Sequence, residues 1–125
     1  MKNTSDNYDG IISRLLLAFP DFSNSAERRE VYDNDGPYIY MQYFMNYLLD
    51  RRKKGNSEIL LQALEFVNNL FEEENMSSKT WDLFNIEFFD RIKEDQGMTT
   101  QAKLHLKGKA LNAFVHLAGR PTEDQ

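Results

Sequence analysis

The chain contains no cysteine, only two histidines and only three prolines in 125 residues. The missing cysteines exclude a disulfide framework, thiol chemistry, an iron–sulfur cluster and cysteine-ligated zinc. Long apolar runs are missing as well. The longest near the start, Leu15-Leu16-Leu17-Ala18-Phe19, falls far short of the ~20 residues that a membrane span needs. Positive charge is scarce: 15 basic residues face 20 acidic ones, for a net charge of −5. That balance argues against general nucleic-acid binding, which needs clustered lysine and arginine to neutralise phosphate. Met1-Lys2-Asn3-Thr4-Ser5-Asp6 has one positive charge and no apolar stretch, so no signal peptide is expected and a cytoplasmic location is. No Gly-x-Ser-x-Gly, phosphate loop, His-Glu-x-x-His or dinucleotide fingerprint occurs.

What the sequence has in quantity is rings: nine Phe, six Tyr and one Trp. A chain of this length is expected to form one domain, burying roughly two-thirds of the surface its unfolded form exposes. The rings therefore either fill an aromatic-rich core or remain on the surface for a partner.

Periodicity predicts an all-α single domain over 1–125, a bundle of five helices plus a sixth, weaker one, with 1–6 and 120–125 as frayed termini. The first helix runs from about Asp6 or Asp9 to Phe19, with Ile12, Leu15, Leu16 and Phe19 on one stripe and Pro20 as its stop. A short polar helix over Ser25–Tyr32 follows, then a turn at Asp33-Asn34-Asp35-Gly36. Pro37 opens the next helix, which ends in the basic run Arg51-Arg52-Lys53-Lys54 before Gly55. Ser57 caps a helix whose stripe is Leu60, Ala63, Leu64, Val67, Leu70 and Phe71. Ser77, Ser78 or Thr80 starts another, with Trp81, Phe84, Phe88 and Ile92 inward and its end before Gly97. Thr99 caps the last, whose stripe of Leu106, Ala110, Phe114 and Leu117 terminates at Gly119 and Pro121. No strand alternation is visible.

Residues with catalytic or ligating chemistry are thinly spread. His105 and His116 share a face of the last predicted helix but stand about 16 Å apart along its axis, too far to share a metal ion. Asp33-Asn34-Asp35-Gly36 echoes part of a calcium loop, but the first and twelfth positions would be Val31 and Gln42, neither a carboxylate. Neither a metal nor a cofactor is expected. Glu87, Asp90 and Glu94 fall on one face opposite the Trp81 stripe, a solvated side of an amphipathic helix. The basic run Arg51–Lys54 has no interleaved aromatics and reads as a helix terminus rather than a nucleic-acid patch.

Charge is polarised along the chain. Between Phe71 and Asp95 eight acids, including Glu72, Glu73, Glu74, Glu87, Asp90 and Glu94, face three bases; from Met98 to Arg120 there are four bases and no acid. An acidic face suits a basic protein partner, because complementary charge steers association. On the Pro37 helix, Tyr40, Tyr43 and Tyr47 form a second stripe beside the apolar one. They are either semi-buried packing or anchors for a partner, since tyrosine offers area with a hydroxyl at its rim.

The order of segments also has a counterpart. Leu-Leu-Ala-Phe-Pro-Asp-Phe (16–22), Tyr32, Met-Gln-Tyr-Phe-Met-Asn-Tyr (41–47), Ala-Leu-Glu-Phe-Val-Asn-Asn-Leu (63–70) and Leu-Phe-Asn-Ile-Glu-Phe-Phe-Asp-Arg-Ile (83–92) together resemble a family of small, all-helical, largely uncharacterised bacterial proteins. Some of these look like immunity proteins of toxin-delivery systems. The resemblance spans about 11–118 and implies a non-enzymatic protein that binds and neutralises a cognate toxin domain, as a monomer or weak homodimer. The residues expected at that interface are Tyr40, Tyr43, Tyr47, Glu72, Glu73, Glu74, Glu87, Asp90 and Glu94. The alternative from another class is a regulatory or scaffold module that self-associates through the Tyr40–Tyr47 face.

Overall fold

Gly10, with φ of 74°, lets the chain turn into its first helix, a left-handed conformation that costs glycine least. From there a computed structural model, which describes residues 6–32 and 34–122, is helical nearly throughout. The elements are α1 (Ile11–Ala18), α2 (Pro20–Ser23), α3 (Ala26–Arg29), α4 (Pro37–Lys53), α5 (Glu58–Phe71), α6 (Ser78–Phe84), a π-helical segment (Asn85–Phe89), α7 (Asp90–Lys93), α8 (Gln96–His105) and α9 (Gly108–His116). Because α6, the π segment and α7 form one unbroken rod, the described residues hold eight helices and no strand. None is long and apolar enough to cross a membrane.

The all-α expectation holds, but five to six helices is too few. Pro20 does not simply stop a helix. It occupies the first position of the one-turn α2, where its missing N–H would be unpaired anyway. The helix expected to begin at Thr99 begins at Gln96, since the Asp95 carboxylate accepts the Met98 N–H at 2.9 Å. A carboxylate at that position also complements the helix dipole. Gly97, expected between two helices, therefore lies in the first turn of α8, and Thr99 instead donates its hydroxyl to the Ile92 carbonyl. The last predicted helix is two helices, broken where Leu106 adopts an extended ψ of 148°. Its end also comes early: the helix stops at His116, and Leu117, expected on the buried stripe, takes a left-handed conformation and stays exposed.

The break between α8 and α9 is built by α5. Asn68, almost fully buried, donates to the His105 carbonyl at 3.0 Å and accepts the Lys107 N–H at 2.8 Å. One turn further along α5, Glu72 accepts the Lys109 N–H at 2.9 Å, at the start of α9. Two side chains thus supply the partners that the interrupted backbone loses. Gly108 sits between them at φ 53°, and a Cβ there would collide with the Glu72 carboxylate.

All nine phenylalanines lie in two ring clusters. Phe19, Phe22, Phe44 and Phe66 gather with Tyr47 where α1, α2, α4 and α5 meet, with centroids such as Phe19–Phe44 at 5.0 Å and Phe22–Tyr47 at 5.3 Å. Phe71, Phe84, Phe88, Phe89 and Phe114 form the second between α5, the α6–α7 rod and α9. Tilted and edge-to-face pairs dominate, the arrangement aromatic quadrupoles favour. Phe88 and its neighbour Phe89 are both fully buried, which one face of a regular α-helix accommodates poorly. The π segment, with its wider turn, turns both rings inward.

Polar rungs tie α4 to the rod beside it. Gln42 donates to Glu87 and Arg91 to Asn46, and just past the rod's end Arg52 donates to Asp95 at the start of α8. Both partners advance together along the sequence, so α4 and the rod run parallel. Arg51 pairs with Glu27 and Asp50, and Lys54 with Asp50. Three of the four basic residues of the run are therefore paired within the fold at the end of α4.

Candidate partner-binding surface

The loop after α5 brings the acidic residues of the sequence to a recess in the surface. Three hollows meet at Met76. The first, about 390 Å³, is lined by Asp6, Glu74, Asn75 and Met76. The second, about 260 Å³, adds Lys79 and Pro121. The third, about 340 Å³, is lined by Phe71, Glu73, Glu74, Met76, Trp81, Lys109, Gly119 and Pro121. Sequence-distant pieces meet here because Asn7 is locked onto the end of α5. Its backbone N–H bonds to the Asn75 carbonyl, and its side-chain amide donates to Leu70 O, Glu73 and the Met76 sulfur. Trp81 is 6% exposed, and its indole Nε1 has no hydrogen-bond acceptor among the described residues.

The three consecutive glutamates have three different positions. Glu72 is committed to the α9 N-terminus. Glu73 makes a bidentate pair with Arg14, at 2.8 and 2.5 Å. That hydrogen bonding holds its carboxyl below the usual range, against the opposing effect of partial burial. Glu74 is exposed and has no ion pair among the described residues. Of the trio, Glu74 is the carboxylate left for a partner, and Asp6, which sequence reasoning did not single out, stands with it. No signal in the sequence joins positions 6 and 74, because their proximity depends on the Asn7 anchor.

The tyrosine stripe is not an exposed surface. Tyr40 is 6% and Tyr47 2% exposed, and arginines cover both rings: Arg28 lies 5.0 Å over Tyr40 and Arg51 4.5 Å over Tyr47. Burial pushes the Tyr47 phenol up from its ordinary value. Tyr43 is half-buried. The physical reason is that α4 packs on several sides, against α1, α3, α5 and the π segment, so both of its stripes face protein. On the rod, Glu87 is held by Gln42, whereas Asp90 and Glu94 are exposed.

Elsewhere the surface has the opposite character. Lys93, Thr99, Lys103, Phe114 and Val115 line a hollow of about 300 Å³. His105 and His116 are both exposed. Among the described residues, no group of three or more His, Cys, Asp or Glu is placed to hold a metal ion. Asp33 lies outside the described residues, and the neighbouring Asp35 accepts the Tyr32 N–H at 2.9 Å. Arg120, expected in a frayed terminus, is held by a bidentate pair with Asp82 at 2.8 and 2.9 Å.

A family of domains described as "Domain of unknown function (DUF7674)" matches residues 12–111, from the second residue of α1 into α9. The chain belongs to this family. The DUF7674 match covers both ring clusters except Phe114, along with the Asn68 and Glu72 contacts to the α8–α9 break. Asp6 and Pro121, which line the recess, fall outside it. No curated protein and no solved structure matches the chain.

Proposed function

We propose that this DUF7674 chain is a binding protein that neutralises a cognate bacterial toxin by stoichiometric association, as an immunity protein does. Support comes from the resemblance of its segment order to a largely uncharacterised bacterial family, some members of which look like immunity proteins, and from its polarised charge. The observation that carries the reading is the recess at Met76, where half-buried Asp6 and exposed Glu74 border an apolar wall of Phe71, Trp81 and Pro121. Such a combination suits a basic protein surface, because carboxylates beside a hollow with an apolar floor speed encounter and leave room for a partner side chain. Asp90 and Glu94 are further exposed acids, on the rod.

Self-association through the tyrosine face is the weaker reading, since Tyr40 and Tyr47 are already covered by the chain's own helices. The test of the leading reading is co-expression with the toxin gene neighbouring its own. Survival of cells that the toxin alone kills, together with a complex of defined stoichiometry, is the expected outcome. Death of the cells and no complex would refute it.

A further inference from the structure

A second surface, where the rod meets α8 and α9, carries both signs of charge around an apolar strip. Glu87 and Arg91 turn toward α4, where they bond to Gln42 and Asn46. Lys93 turns toward α9, its ammonium 5.1 Å from the centre of the Phe114 ring. At 3.6 residues per turn, Asp90 and Glu94 fall between these two sides of the rod, and both are exposed. Lys103 on α8, also exposed, lines the same hollow as Lys93. None of Asp90, Lys93, Glu94 and Lys103 has an ion pair among the described residues.

Apolar side chains complete the surface. Val115 lines the hollow and is exposed, and exposed Ile86 stands one turn before Asp90 on the rod. Phe114 packs on Phe89, whereas Arg120 is held to Asp82. The chain leaving α9 therefore returns along the rod, carrying exposed Leu117 past the level of Ile86. Three of the six large apolar side chains exposed among the described residues belong to this one surface. Apolar side chains gathered within a polar rim mark an interaction site.

We propose that this surface joins two copies of the chain about a two-fold axis. An acidic partner would meet Asp90 and Glu94, and a basic one would meet Lys93 and Lys103. A second copy turned about the axis meets each sign with its opposite. Asp90 and Glu94 of one copy face Lys103 of the other, and the symmetry makes that contact twice. Ile86, Val115 and Leu117 of both copies fill the centre, while complementary charge fixes the register. So narrow a strip supports a weak, reversible dimer rather than an obligate one. The inference is independent of the toxin reading and of the recess at Met76.

Sedimentation equilibrium of the full chain over a wide range of concentration tests it. A monomer–dimer equilibrium that weakens as salt rises is expected, and the amide resonances that move on dilution map to 86–94, 103 and 115–117. In Lys103→Glu, and in Asp90→Lys with Glu94→Lys, the rims meet their own sign and dimerisation weakens at least about tenfold. Those two variants, mixed, pair with each other. A chain carrying all three substitutions dimerises again, because reversing both rims restores the match. Each substituted side chain is exposed, so thermal unfolding by circular dichroism stays close to wild type. A monomer at every concentration overturns the proposal, as does a dimer indifferent to the charge reversals. A mixture that does not pair overturns it too. So do oligomers that keep growing with concentration, which mark a head-to-tail contact instead of a two-fold one.

Discussion

Replacing Asn68 with alanine removes both side-chain bonds that hold the α8–α9 break, the one given to His105 O and the one accepted from Lys107 N–H. A hydrogen bond contributes only ~0.5–1.5 kcal/mol net, but a buried partner left unsatisfied costs about 1–3 kcal/mol. Asn68 is 8% exposed, while its two bonds are only partly buried, so the lower part of that range applies to each. The expected loss is about 2–3 kcal/mol. For a domain of this size each kcal/mol lowers the melting temperature by roughly 3–6 °C, which gives a fall of about 10 °C. Thermal unfolding followed by circular dichroism measures it, and hydrogen exchange locates it: the Lys107 amide loses protection before the α5 amides do. Asn68→Asp keeps the acceptor for Lys107 but sets a carboxylate against the His105 carbonyl, so its stability recovers toward wild type as acid protonates that carboxyl. A melting temperature within about 1 °C of wild type, with the Lys107 amide still protected, would refute the account of how the break is held.

Three further outcomes are expected. Arg14 holds the Glu73 carboxyl below its ordinary value, so the pair's contribution is complete above the unfolded value near pH 4.3 and disappears as pH falls through the lower folded value. With side chains 39% and 31% exposed, it contributes about 0.5–1 kcal/mol at neutral pH. Glu73→Gln therefore trails wild type at pH 7 in chemical denaturation, and the gap closes in acid. Phe89→Ala empties a fully buried position between Phe71, Phe88 and Phe114. It is expected to cost about 3–5 kcal/mol, read as a lower denaturation midpoint. Gly108→Ala strains a residue at φ 53° and displaces Glu72, lowering stability by about 1–2 kcal/mol by the same assay.

The helical class was legible because apolar stripes at helical spacing set it, and Leu60, Ala63, Leu64, Val67, Leu70 and Phe71 are all buried as the pattern implies. Boundaries were less legible where two caps competed. Asp95 won over Thr99 because its carboxylate reaches the Met98 N–H, and Thr99 then bonded backward to Ile92. The α8–α9 break was invisible because its cause, Asn68, lies more than thirty residues away on another helix. The adjacent Phe88 and Phe89 hinted at an irregular turn, since one stripe needs only one of them.

The recess was half legible. The acidic run at 72–74 marked the region, but tertiary contacts divide the three carboxylates between the α9 backbone, Arg14 and solvent. Tyr40 and Tyr47 misled because a second ring stripe on α4 reads the same whether protein or solvent lies beside it. Their burial follows from how many neighbours α4 has, which no single segment encodes.

The central claim is that acidic residues of this surface bind a basic partner protein. Calorimetric titration of the full chain with the protein encoded by the neighbouring gene, at 50 mM and 300 mM salt, tests it most directly. One-to-one binding that weakens as salt rises, and weakens further in Asp6→Lys with Glu74→Lys, is the predicted result. Absence of binding at either salt concentration, or affinity indifferent both to salt and to the charge reversals, would contradict it.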